Sequence, residues 1–143
     1  MTTLRDRIIA AVVTALSGAS IVGVSVVTRS REIAIERSEG FVIVVRPKSD
    51  DITRKATQVD EHRLVFEVLV YTRGDPWDEA AEAVYSQAHA ALFANAPLQA
   101  LMSDLRSLSV TFESQDGDES IGALLAEFSC IYLSHYADPS VQI

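Results

Sequence analysis

The sequence predicts an α+β domain: a mostly antiparallel four-stranded sheet, with an N-terminal helix and a central helix packed on one face, plus a short helix and an extended arm. Three observations carry this. Residues 4–16 have the apolar spacing of an amphipathic helix. The segments His62–Thr72 and Gly122–Tyr136 alternate apolar and polar residues, as half-buried strands do. Between those strands lies one helical stretch with start and stop signals at its ends. A length of 143 residues suggests one domain, and 48% hydrophobic residues supply a core.

In the first helix, Leu4, Ile8, Ile9, Ala11, Val12, Ala15 and Leu16 share a side, with Asp6, Arg7, Ala10 and Thr14 opposite. Ser17, Gly18 and Ser20 supply a stop. Residues 8–27 carry no charge, and about 20 apolar residues span a bilayer. Ser and Gly dilute the run, so a membrane span is the least favoured reading. Arg5/Arg7, Ile8–Leu16 and Ser17–Ser20 mimic the three parts of a signal peptide over residues 5–20. That minority reading predicts cleavage after Ala19. The favoured reading divides the run into a helix, a break and an extended arm over residues 20–37. Val22, Val24, Val26 and Val27 suit extended chain, and Arg31–Arg37 reads as a short strand-like piece.

Glu39-Gly40 predicts a turn. Phe41–Val45 is a continuous apolar run, expected to be a central strand ended by Arg46-Pro47. Lys48–Asp60 reads as an exposed loop. In the next strand Leu64, Phe66, Val68 and Val70 form the core face. Asp75 is expected to cap the central helix, with Pro76 at its first position. Trp77, Ala81, Val84, Ala88, Ala91 and Leu92 are its buried stripe. Asn95 and Pro97 end it. Pro97–Leu105 predicts a short helical piece, and Leu108, Val110 and Phe112 a strand. Asp116-Gly117 within Ser114–Glu119 is a hairpin signal. Gly122–Tyr136 reads as a long strand that buries Leu124, Ala126, Phe128, Cys130 and Tyr132, with a helix over Ile121–Phe128 as the alternative. Residues 138–143 read as a loose tail.

Chemistry-bearing motifs are sparse. HExxH, GxSxG, the P-loop and GxGxxG do not occur. His62, His89 and His135 stand apart and read as surface or satisfied histidines. A single cysteine excludes an intramolecular disulfide, and its strand face makes Cys130 a buried structural thiol. Asp50/Asp51 and Asp116/Asp118/Glu119 lack EF-hand spacing. No cofactor or metal is expected. A formal net charge of −8 makes the chain a poor nucleic-acid binder.

The layout resembles the tail terminator, or tail completion, proteins of long-tailed bacteriophages, of the lambda minor tail protein U type. Four pieces in order carry the resemblance: LRDRIIAAVVTAL, REIAIERSEGFVIVV, HRLVFEVLVYTRGDPWDEAAEAVYSQAHAAL and PLQALMSDLRSLSVTFESQDGDESIGALLAEFSCIYLSHY. They cover nearly the whole chain. The signal is order and spacing, with no specific motif, and the uncharged arm at Ser20–Thr28 departs from the family's pattern. The resemblance implies a non-enzymatic virion protein, assembled in the bacterial host cytoplasm. It implies a hexameric ring that caps the tail tube, ends its polymerisation and forms the surface for head joining. Its partners would be further copies of itself, the tail tube protein and a head–tail connector protein. DNA would pass through the ring without specific binding, and no membrane is involved. An acidic subunit suits such a channel.

Asp50, Asp51, Arg54, Lys55, Asp116, Asp118 and Glu119, on the two predicted loops, are the candidate ring or tube contacts. A second reading, close in kind, is another small head–tail joining protein. A third, of a different class, is a small ligand-binding module or enzyme with a cryptic pocket near Trp77, His89 and Cys130.

Overall fold

The computed structural model describes residues 2–30, 40–74, 76–114 and 121–143. The first helix, α1, runs Leu4–Gly18. Thr3 caps it: its hydroxyl oxygen accepts from the Asp6 amide at 3.1 Å. Leu4, Ile8, Ile9, Val12, Ala15 and Leu16 are buried, so the predicted face is the packed one. Among the described residues no helix is long and apolar enough to cross a membrane.

The predicted arm is partly a strand. After Gly23, which takes φ +86°, Val24–Arg29 forms β1 and pairs in parallel with β2, Phe41–Ala56. The rest of the predicted arm, 31–37, and Glu39 of the predicted turn lie outside the described residues.

The largest correction concerns Lys48–Asp60. No loop exists there. β2 continues through Pro47 to Ala56, and Thr57-Gln58 reverses the chain into β3, Val59–Arg73. The register runs from Val42↔Tyr71 to Ala56↔Val59. Pro47 does not stop β2 because β1 pairing has already ended at Arg29↔Val45. Its missing N–H therefore falls on an edge, beside an irregularity between Pro47 and Ser49. The polar composition that suggested a loop is that of a solvated edge.

The central helix, α2, spans Trp77–Ala94. Pro76 occupies the cap position and makes no side-chain cap bond. The expected cap, Asp75, lies outside the described residues. Ala81, Val84, Ala88 and Leu92 are buried as predicted, while Trp77 and Ala91 are half-buried. Asn95 ends α2 and starts α3, Ala96–Leu101: its Oδ1 accepts from the Leu98 amide at 2.9 Å. α3 stops four residues short of the predicted Leu105, which lies in β4, Ser103–Ser114. β5 is Ile121–His135 and β6 is Asp138–Gln142. The predicted loose tail is thus a strand, paired at Ser134↔Gln142 and His135↔Asp138.

The sheet has six strands in the order β1-β2-β3-β5-β4, with β6 also on β5. It is mixed: only β1–β2 is parallel. The expected α+β class and one-sided helices hold, and the four-stranded count does not. All three helices cover one face, over Ile43, Val45, Leu64, Phe66, Val68, Val70, Leu124, Ala126, Phe128 and Cys130. The other face carries a small buried group, Val42, Val44 and Leu69. Below it, two ion pairs lie across the strands: Arg46–Glu67 at 3.3 Å and Lys48–Glu127 at 2.6 Å.

Candidate functional site

The long β2–β3 hairpin carries polar residues into the helix-covered side. The register pairs Asp50 with Leu64 and Ile52 with His62, so strand alternation sends Asp50 and His62 inward with Leu64 and Phe66. β5 adds Tyr132 and Ser134 from the neighbouring positions, and α1 adds Arg5. The result is a buried polar cluster. Asp50 Oδ2 accepts from Arg5 Nε at 2.8 Å, from the Tyr132 hydroxyl, and from His62 Nδ1 at 3.2 Å. A carboxylate only accepts, so the His62 proton sits on Nδ1. His62 Nε2 lies 2.8 Å from Ser134 Oγ. The Tyr132 ring stacks on His62 with centroids 4.2 Å apart.

The shifts follow from this packing. Burial, then the hydrogen bond to Asp50, raises the Tyr132 phenol well above its ordinary value. Burial, reinforced by the Asp50 charge, pushes the Cys130 thiol up to about 12. The hydrogen bond to Asp50 raises Arg5 and keeps it charged.

Ser134, His62 and Asp50 stand in the order of nucleophile, base and orienting carboxylate. Sequence spacing gave no warning of this, because the hairpin that aligns them reads as a loop. Ser134 is only 1% exposed, so its hydroxyl cannot meet a substrate in this conformation. The line acts as a brace that ties α1, the hairpin and β5 together. Asp50 Oδ1 is buried with no hydrogen-bond partner. A cleft of about 340 Å³ lies beside this cluster, lined by Arg5, Pro47, Lys48, Ser49, Asp50 and Leu64.

The predicted contact residues separate. Asp50 belongs to the buried cluster, with its side chain 6% exposed. Asp51, Arg54 and Lys55 are exposed on β2. Arg54 Nε lies 2.9 Å from Asp60 Oδ1, and its guanidinium covers the Tyr136 ring at 4.8 Å. Asp116, Asp118 and Glu119 lie outside the described residues. His62 is a satisfied core histidine, as expected. His89 is half-buried: its Nε2 lies 3.2 Å from Ser107 Oγ, and its ring stacks on Phe93. Trp77, His89 and Cys130 do not line the Asp50 cleft, and Cys130 is wholly buried. Among the described residues no group of three or more His, Cys, Asp or Glu could hold a metal ion.

A second feature is a surface that composition does not reveal. β4 is exposed along nearly its whole length. Leu108, Val110 and Phe112 are 49%, 38% and 45% exposed. Phe93 on α2 is exposed as well, and Trp77 lies 6.3 Å from Phe112 between ring centroids. An edge strand of this kind presents both unpaired backbone groups and apolar side chains. No protein-family model matches the chain, and no curated protein matches it in sequence.

Proposed function

We propose that the protein is a structural, non-enzymatic tail assembly protein of a phage or prophage. It caps the tail tube, ends its polymerisation and forms the surface for head joining, as a hexameric ring. Its partners are further copies of itself, the tail tube protein and the head–tail connector protein, and DNA passes through without specific binding. The observation that carries this reading is the exposed apolar edge strand β4. A surface of that kind is a liability for a free subunit and an asset for one that assembles. The order of elements that prompted the resemblance supports the reading. So does the burial of the Ser134–His62–Asp50 line, which withdraws the best nucleophile from the surface.

Tube length tests the proposal. The tube-forming protein of the same genome is polymerised with and without this protein, and lengths are measured by electron microscopy. Short tubes with density at one end and a narrower length distribution are expected. Unchanged lengths and bare ends refute termination. Ligand screening at the cleft beside Asp50 would then address the binding-module alternative.

A further inference from the structure

We infer that copies of this chain join head to tail by strand addition, with the β1 edge of one copy against the β4 edge of the next, so that the sheet runs on through the assembly. The inference rests on the ring-forming part of the function proposed above and names the surfaces that would form it.

Three observations on the sheet carry it. First, β1 and β4 are its two ends, and among the described residues each has one strand partner, β2 and β5 respectively. Second, the directions fit. β1 runs parallel to β2, and three antiparallel steps then lead through β3 and β5 to β4. β4 therefore runs opposite to β1, and a neighbour in the same orientation would add its β1 antiparallel. Third, the heights fit. One cross-strand row reads Val27, Ile43, Val70, Leu124, Phe112, and the row of the other face beside it reads Val26, Val42, Tyr71, Ala123, Glu113. Two rows further along, Arg29 stands level with Val110. Thus the six residues of β1 stand level with Ser114–Val110 of β4. A ring needs neighbours at one height, and these edges meet there without an axial shift.

The side chains suit that meeting. Both irregularities of β4 lie between Ser103 and Ser109, leaving Ser109–Ser114 regular. This regular half is the part level with β1. The regular half, Ser109–Ser114, contains no Pro and one charged residue, Glu113, so it is lightly guarded for an edge; Asp104, Arg106 and both irregularities lie in the other half. Val110 and Phe112 are exposed on the helix side of this half. On the other end of the sheet, a cleft of about 170 Å³ runs beside Val24–Val27, closed by Leu16, Ser17, Ser20 and Ile21. Val27 shares the face of Phe112. Pairing at equal height therefore places Phe112 of one copy at this cleft of the next. Such a contact is heterologous, so it closes into a ring or grows as a filament.

The experiment uses the full chain carrying Val27→Cys and Phe112→Cys together. Within one chain these positions lie four strand spacings apart, about 19 Å, too far for a disulfide, which needs Cα atoms within about 7 Å. The native Cys130 is buried. The protein is oxidised both in solution and bound to tube ends, then separated without reductant. The expected result is a ladder of covalent oligomers that ends in one closed species. Each single-cysteine variant should yield no more than background dimer. Abundant dimer from Phe112→Cys alone would mean β4–β4 pairing and would overturn the inference. So would a missing ladder from protein that still caps tubes, and in that case the terminator reading stands. A missing ladder with no effect on tubes would overturn both. Val110→Lys provides the second test at an exposed site. It should keep the parent's circular dichroism and melting while raising the concentration needed for oligomers at least tenfold by sedimentation. An unchanged oligomer would count against the edge contact.

Discussion

Replacing Asp50 by Ala tests whether the buried polar cluster braces the fold. Its carboxylate serves three donors: Arg5, Tyr132 and His62. Their costs differ. The Arg5 side chain is 41% exposed, so it can turn to water, and its loss is that of a surface pair, under about 1 kcal/mol. Tyr132 and His62 are almost wholly buried, and each stranded donor costs about 1–3 kcal/mol. A gain offsets part of this, because Asp50 Oδ1 is itself buried without a partner. The net expectation is about 2–4 kcal/mol. That is a large share of the roughly 5–15 kcal/mol that holds a typical domain. Asp50→Asn keeps an acceptor oxygen and should lose about half as much. Urea unfolding at pH 7, followed by circular dichroism, reads the change as a lower midpoint at constant slope. A double-mutant cycle with Tyr132→Phe isolates the hydroxyl, with a coupling above about 0.5 kcal/mol expected. If Asp50→Ala stays within about 0.5 kcal/mol of the parent, the cluster is not a brace and the reasoning fails.

Two further outcomes follow from close packing. A Cβ placed on Gly122 would meet the Trp77 ring at 2.2 Å. Gly122→Ala should therefore cost about 1–3 kcal/mol and shift the emission of the single tryptophan to the red as its ring moves outward. Unchanged emission with unchanged stability would contradict the contact. Stability should also fall in alkali. The Cys130 thiol ordinarily titrates near 9.0 and is raised to about 12 in the fold, so the unfolded chain loses its proton first. The stabilisation is whole below pH 9 and is lost as pH rises toward about 12, at up to about 1.4 kcal/mol per pH unit. Tyr132, raised from 10.0, adds to the loss from pH 10 upward. Cys130→Ala should flatten the part that begins near pH 9. A profile that overlays the parent's would show that the thiol is not buried as described.

The parts of this fold that were legible in the sequence are those with strong periodicity. The α1 stripe, the β3 core face, the α2 stripe and the β5 face all follow from spacing alone, because apolar residues recur on the side that packs in the core, while in β3 and β5 the opposite face is itself largely covered, with Leu69 and Ser129 buried. The misread parts are edges. Ser49–Ala56 is solvated on one strand edge and bulged, so its composition is that of a loop while its backbone is paired to β3. Val24–Arg29 and Asp138–Gln142 are short, and their pairing is decided by β2 and β5, which are distant in sequence. The Asp50 cluster was hidden for the same reason. Asp50 and His62 become neighbours only through a two-residue reversal at Thr57-Gln58, where Gln58 takes φ +66°. The usual Asn-Gly or Asp-Gly signal is missing there. Cys130, by contrast, sits within an alternating strand, and its burial could be read directly.

The charge balance bears on the proposed passage of DNA in a way that net charge alone does not. Arg5, Arg29, Arg46, Lys48, Arg54 and Arg106 each lie within 3.3 Å of a carboxylate oxygen. These pairs are spread over separate elements, from α1 to β4. A phosphate approaching any of these cations must compete with a carboxylate already in place, which weakens the contact on which non-specific DNA binding depends. Part of the surplus acid, meanwhile, is grouped on one helix. α2 exposes Asp78, Glu79 and Glu82 in its first two turns and has no Lys or Arg along its length. Asp78 and Glu79, in the first turn, favour the positive end of the helix dipole, which stabilises them where they stand. In the proposed ring this pattern would repeat with each subunit, giving a surface that repels a sliding polyanion at regular intervals and offers it few uncommitted charges to grip. Lowering net charge alone, by scattering acids among unpaired lysines, would leave sticking points. Pairing the cations and grouping the acids avoids them.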